Sequence, residues 1–138
     1  MNIDLTGLLD DASPLGAGVQ WNPRRPIRFT QGASVRLRLT VIRRDGTAVN
    51  LALDPSTVLE FNVKKTSLDD KISTLSKTGV LVPTEANNRA DFTIAPTDTK
   101  FVQPGRYIYD VWLTYLGERN PVVPASLCAI EPTITAIS

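Results

Sequence analysis

"RYIYDVWLTYLG", residues 106–117, follows a Pro104-Gly105 pair and decides how the rest of the chain is read. Tyr107, Tyr109, Val111, Leu113 and Tyr115 recur at every second position, and Ile108, Asp110, Trp112 and Thr114 fill the places between. A repeat of two belongs to a strand whose successive side chains leave opposite faces. One face is apolar throughout and needs a core. The other carries a tryptophan beside an acid, and that tryptophan needs a partner of some kind.

The same texture begins earlier. "SVRLRLTV", residues 34–41, sets Val35, Leu37, Leu39 and Val41 against Arg36, Arg38 and Thr40, and Asp45-Gly46 follows as a turn signal. "VLEFNVKK" (58–65) alternates Leu59, Phe61 and Val63 with Glu60, Asn62 and Lys64. "ADFTI" (90–94) groups Ala90, Phe92 and Ile94, and "SLCAIEPTITAI" (126–137) supplies one or two last strands. "TSLDDKISTLSK" (66–77) fits a helical turn through Leu68, Ile72 and Leu75, but its threonines and serines favour a loop and then a short strand. About six to eight short strands with no long helix between them predict an all-β, immunoglobulin-like antiparallel β-sandwich. Phe61, Phe92, Tyr109 and Leu113 belong on its core side.

Residues 1–28 read differently. They contain "SPLGAG" (13–18) and "WNPRRP" (21–26), with prolines at 14, 23 and 26. Proline lacks the N–H that a sheet interior uses and holds its predecessor extended. The reading is an extended Pro-rich N-terminal arm over 1–28, ahead of a sandwich domain over 29–138. "IDLTGLL" (3–9) suits at most a short, unstable helical turn. Leu5, Leu8, Leu9, Leu15, Val19 and Trp21 are too many apolar groups for a solvated tail. The arm is therefore expected to bury against a neighbour, or against the face that bears Trp112.

Bulk chemistry narrows the function. At 138 residues the chain suits one domain, and 42% hydrophobic and 21% charged residues are ordinary for a globular protein. The formal net charge is +1, so the whole molecule is no polyanion binder. A single cysteine, Cys128, excludes an internal disulfide, and its apolar surroundings suit a buried structural thiol. No apolar run reaches a membrane helix, and the acidic N-terminus is unlike a signal peptide, which points to synthesis in the cytoplasm.

Histidine is absent, which removes the commonest general base and metal ligand. Asp10-Asp11 and Asp69-Asp70 are sequence neighbours that cannot face each other across a cleft, and no calcium-type loop surrounds them. The expectation is a non-enzyme with no catalytic residues, metal or cofactor. Arg24, Arg25, Arg28, Arg36, Arg38, Arg43 and Arg44 fall with no acid between Asp11 and Asp45. Arginine suits bidentate pairing across protein interfaces. Nucleic acid is disfavoured, because few stacking aromatics accompany the charge. The candidate partner interface is Leu8, Leu9, Trp21, Arg24, Arg25, Arg28, Arg36, Arg38 and Trp112.

Three landmarks carry a family resemblance. "FTQGASVRLRLTVIRRDGTAVNL" (29–51) resembles the opening of an immunoglobulin-like domain of tailed-phage structural proteins, with its Gln-Gly pair, alternating strand and Asp-Gly turn. "LEFNVKKTSLDD" (59–70) looks like that family's next strand, and "PGRYIYDVWLTYLGE" (104–118) is similar to its Pro-Gly-x-Tyr-x-Tyr-Asp strand. The family includes the N-terminal domain of baseplate upper proteins and small stand-alone virion proteins, and the resemblance spans roughly residues 29–135. It implies a non-enzymatic virion protein made in the host bacterial cytoplasm. The implied partners are other virion proteins, the major capsid protein or tail proteins, with homo-oligomers in the particle and no membrane. A capsid decoration or accessory role is the first expectation. A tail or baseplate component is the alternative, and a carbohydrate or host-surface binding module a further one.

Overall fold

A computed structural model describes residues 1–9, 24–65 and 74–133. Nine strands occupy them: β1 (Asn2–Leu9), β2 (Ile27–Thr30), β3 (Val35–Arg43), β4 (Val58–Lys64), β5 (Leu75–Thr78), β6 (Val80–Val82), β7 (Arg89–Ile94), β8 (Gly105–Tyr115) and β9 (Glu118–Glu131). A 3-10 turn, Leu51–Leu53, and a four-residue helix, α1 (Pro96–Thr99), complete the regular structure. The strands form two sheets, ordered β1-β3-β7-β6 and β2-β9-β8-β4-β5, which pack as a sandwich. The all-β sandwich expected from the alternation is the fold that forms. Most pairs are antiparallel, but β1 runs parallel to β3 and β2 parallel to β9.

The alternation translates directly into the core. Leu37, Leu39 and Val41 from β3 meet Phe61, Phe92, Tyr109 and Leu113, all buried to within about 1%. Phe61 is the hub, with ring centroids 5.8 Å from Phe92 and 5.5 Å from Tyr109. Tilted pairs of this kind add about 0.5–1.5 kcal/mol each beyond the area they bury. The tyrosines of β8 put their rings in the core and hand their hydroxyls to backbone carbonyls at its margin. Tyr107 donates to Gln103, Tyr109 to Arg25 and Tyr115 to Asn50. A tyrosine buried without such an acceptor would lose a hydrogen bond to water for nothing.

Where it is described, the segment expected as an N-terminal arm is partly regular sheet. Asn2–Leu9 is a full strand of the four-stranded sheet, with Leu5 and Leu9 in the core, and β2 starts inside the expected arm at Ile27. Ile3, Leu5, Gly7 and Leu9 are themselves a period-2 face. Gly7 disguised it, because a Cβ there would lie 3.1 Å from Val122, and glycine lets the strand approach that closely. The sandwich thus includes residues assigned to the arm. Trp21 and prolines 14 and 23 lie outside the described residues. So do residues 66–73, while the short strand expected after them is β5, with Leu75 buried.

The two ends differ in their closures. At one end Gln31 Nε2 donates to the carbonyls of Lys100 and Val102, at 3.0 and 2.9 Å. Gly32 N–H reaches the hydroxyl of buried Thr99 at 2.8 Å. The Gln-Gly pair therefore ties the β2–β3 turn to the β7–β8 connection. At the other end the Asp45-Gly46 turn forms, but only the single bridge Ile42–Ala48 follows it in place of a second long strand.

Candidate interaction surfaces

Trp112 stands on the outer face of the five-stranded sheet. Its neighbours across the ladder are Glu60 on β4 and Pro121 on β9. Arg119 covers the ring, with Cζ 4.2 Å from the centroid, and its guanidinium reaches Glu60 at 3.7 Å. A half-exposed cation–π contact is worth about 0.5–1 kcal/mol. Trp112 is thus packed along its own sheet, and β1 lies in the opposite sheet, away from it.

Arg36 and Arg38 project from the outer face of the other sheet. The register aligns Asp4, Arg38 and Asp91 across β1, β3 and β7. Asp91 lies 4.0 Å from Arg36 and takes two hydrogen bonds from Arg89, at 3.2 and 3.3 Å. Two aspartates therefore stand among three arginines, and much of this charge is balanced inside the face. Leu8 shares the face beside Ile42, half-buried, while Leu9 belongs to the core.

Arg24, Arg25 and Arg28 gather elsewhere, along the groove between edge strands β1 and β2. This opening of about 490 Å³ is lined by Asn2, Asp4, Arg24, Arg25, Pro26 and Arg28 among others. Two bonds pin the Arg25 backbone, its N–H to Ser126 Oγ at 2.9 Å and its carbonyl to the Tyr109 hydroxyl. The structure thus brings Arg24, Arg25 and Arg28 together and sets Arg36 with Arg38. Trp112 falls on the face opposite Arg36 and Arg38, so one flat partner cannot touch all three groups.

Sequence reading missed the ends. At the Gln31-Gly32 end a cavity of about 610 Å³ is lined by Gln31, Gly32, Pro96, Thr97, Lys100 and Phe101 among others. Phe101 is 89% exposed, with the Lys100 ammonium 5.5 Å from its ring centroid. At the far end Leu53 and Leu116 are 63% and 59% exposed. An aromatic in the polar "TDTKF" stretch, and a leucine before Gly117 where asparagine is the usual turn residue, were the available signals.

The reactive groups are quiet. Burial pushes the Cys128 thiol up to about 12, so it stays protonated and unreactive at neutral pH. Burial likewise raises the Tyr109 hydroxyl. Asp98 is held below the usual carboxylate value, first by its hydrogen bond with Lys77, 2.8 Å away, and then by the Ala95 N–H. Among the described residues no three acidic or thiol side chains converge on a metal position, and no helix is long and apolar enough to cross a membrane.

A scan against protein-family models and a search of curated proteins each found no match. Among solved structures, the chain is similar to the N-terminal domain of phage TP901-1 ORF48, with a TM-score of 0.48 and 11% identity over 95% of this chain and 99% of that one. It is also similar to the cysteine protease inhibitor EhICP2 from Entamoeba histolytica, with a TM-score of 0.41 and 5% identity over 94% and 97% of the two chains.

Proposed function

We propose that this chain is a non-enzymatic structural protein of a tailed-phage virion, an accessory subunit that decorates the capsid by binding neighbouring shell proteins. One observation carries the reading. The three sequence landmarks that resemble phage immunoglobulin-like domains fall on strands that build one core: Phe29 to Val41 on β2 and β3, Leu59 to Val63 on β4, and Tyr107 to Leu113 on β8. The Gln-Gly pair also has a structural task, since it clamps the end that carries Phe101. The landmarks thus act together as parts of one domain, which supports a shared design over a chance match. The arginine groove between β1 and β2 offers a surface for acidic shell partners.

Mass spectrometry and electron microscopy of purified particles test the proposal. The chain should be present in multiple copies at symmetric positions on the head. Density at the tail tip would move it to the second reading, a tail or baseplate component. Its absence from washed particles would end the structural reading. A third reading, recognition of carbohydrate, draws on Phe101, an exposed aromatic at a cavity rim.

A further inference from the structure

We propose that the two ends of the sandwich dock on each other between copies, so that the protein associates with itself head to tail. The β8–β9 connection is a two-residue turn in which Leu116 and Gly117 have φ of 52° and 82°. Positive φ at both positions makes it type I′, whose first position favours Asn, Asp or Gly. A leucine there carries a steric penalty, and at 59% exposure it returns little to its own fold. Strain kept at an exposed apolar side chain points to a use outside the molecule.

That turn is braced and flanked. The Asp54 carboxylate accepts the Leu116 N–H at 2.8 Å, which ties the turn to the segment carrying exposed Leu53. Asp54 and exposed Glu118 flank the two leucines in sequence, while the neighbouring Arg119 turns its guanidinium onto Trp112 and Glu60. The opposite end presents the complement: the cavity walled by Gly32, Pro96, Thr97 and Phe101, with Lys100 as the charged group of its lining. Raised leucines edged by carboxylates thus match an apolar hollow edged by an ammonium.

Geometry makes the contact intermolecular. The 11 residues of β8 separate the two ends. At about 3.3 Å per residue they span roughly 35 Å, so Leu116 cannot reach the cavity of its own chain. Docking joins two different patches, so it does not stop at a two-fold dimer. It continues into a closed ring or an open filament. The inference stands whichever part of a particle, if any, contains the protein.

Sedimentation equilibrium of the full chain over a concentration series tests it. Wild type should associate beyond a dimer. Leu116→Asn, which suits the turn and should unfold at the same temperature or higher, should weaken association about ten- to a hundredfold. Lys100→Glu and Glu118→Lys should each weaken it, and the double variant should recover most of the loss. A wild type that stays monomeric, or association of any order that ignores Leu116→Asn, overturns the proposal. Phe101-dependent binding on a glycan array by a chain that stays monomeric would assign the cavity to carbohydrate instead.

Discussion

The two long flanks of the sandwich are closed in different ways. On one flank a single segment serves both sheets: β5 edges the five-stranded sheet, Gly79 passes across, and β6 edges the other. A Cβ on Gly79 would lie 3.0 Å from the Phe92 ring, so the crossing lies directly against the core. Lys77 and Asp98 fasten it to α1, which follows β7, at 2.8 Å. On the other flank β1 and β2 are separate strands, each added in parallel to its own sheet, with the arginine groove between them. One flank is closed by continuity of the chain. The other depends on two pairings far apart in sequence, whose loop-closure entropy must be offset by what they bury.

The largest expected effect follows from that dependence. Deleting residues 1–26 removes β1 with Leu5 and Leu9, and each such side chain contributes about 1.5–3 kcal/mol through burial. The eight β1–β3 register positions go with them. Against a typical total of about 5–15 kcal/mol, the truncated chain should lose its cooperative urea transition. A folded, stable fragment would show that the sandwich closes without β1.

Matched glycine substitutions probe both flanks at smaller cost. Gly79→Ala drives a methyl into the rigid Phe92 ring and the Leu59 Cβ, whereas Gly7→Ala meets Val122 and the more movable Leu39 tip. Overpacking of this kind costs about 1–3 kcal/mol, and Gly79→Ala should fall nearer the upper value. Equal losses in denaturant midpoint would mean that the two flanks yield equally.

Tyr109→Phe comes next. It keeps the ring in the core and strips the Arg25 carbonyl of its hydroxyl partner, so about 1–2 kcal/mol should be lost in thermal or urea unfolding. A change confined to the Gly79 flank would contradict the assignment of this bond to the β2 flank.

The smallest effect is the Lys77–Asp98 pair, about 0.5–1 kcal/mol after solvent screening. The folded carboxyl titrates below its unfolded value of 3.8, so its contribution is present above that pH and is lost as pH falls through the folded value. The stability gap between wild type and Lys77→Met should therefore shrink as pH falls below 3.8 and close once the folded carboxyl is protonated. A gap that persists at the acid end would assign it to the lysine stem.

The contrast also explains what could be read from the residues alone. β3, β4, β7 and β8 carry full side chains at every inward position, so their period of two is plain. β1 and the β5–β6 crossing are each interrupted by a glycine needed for close packing, Gly7 or Gly79, and the alternation fades there. The alternation puts Arg36, Arg38 and Trp112 on outward faces, as the structure has them. What periodicity could not supply was their partners, because Asp4, Asp91, Glu60 and Arg119 come from other strands. Phe101 and Leu116 sit in connections, where periodicity carries no signal.

Hydrogen exchange on the intact chain tests the central claim most directly, that the N-terminal strand is a working part of the core. The β1 amides that bond to β3 should be protected close to the level of the β3–β7 ladder, since opening them would expose Leu5, Leu9, Leu37 and Leu39 together. Exchange of those amides at the rate of an unstructured peptide, with the rest of the sandwich still protected, would contradict the account and return these residues to a detachable arm.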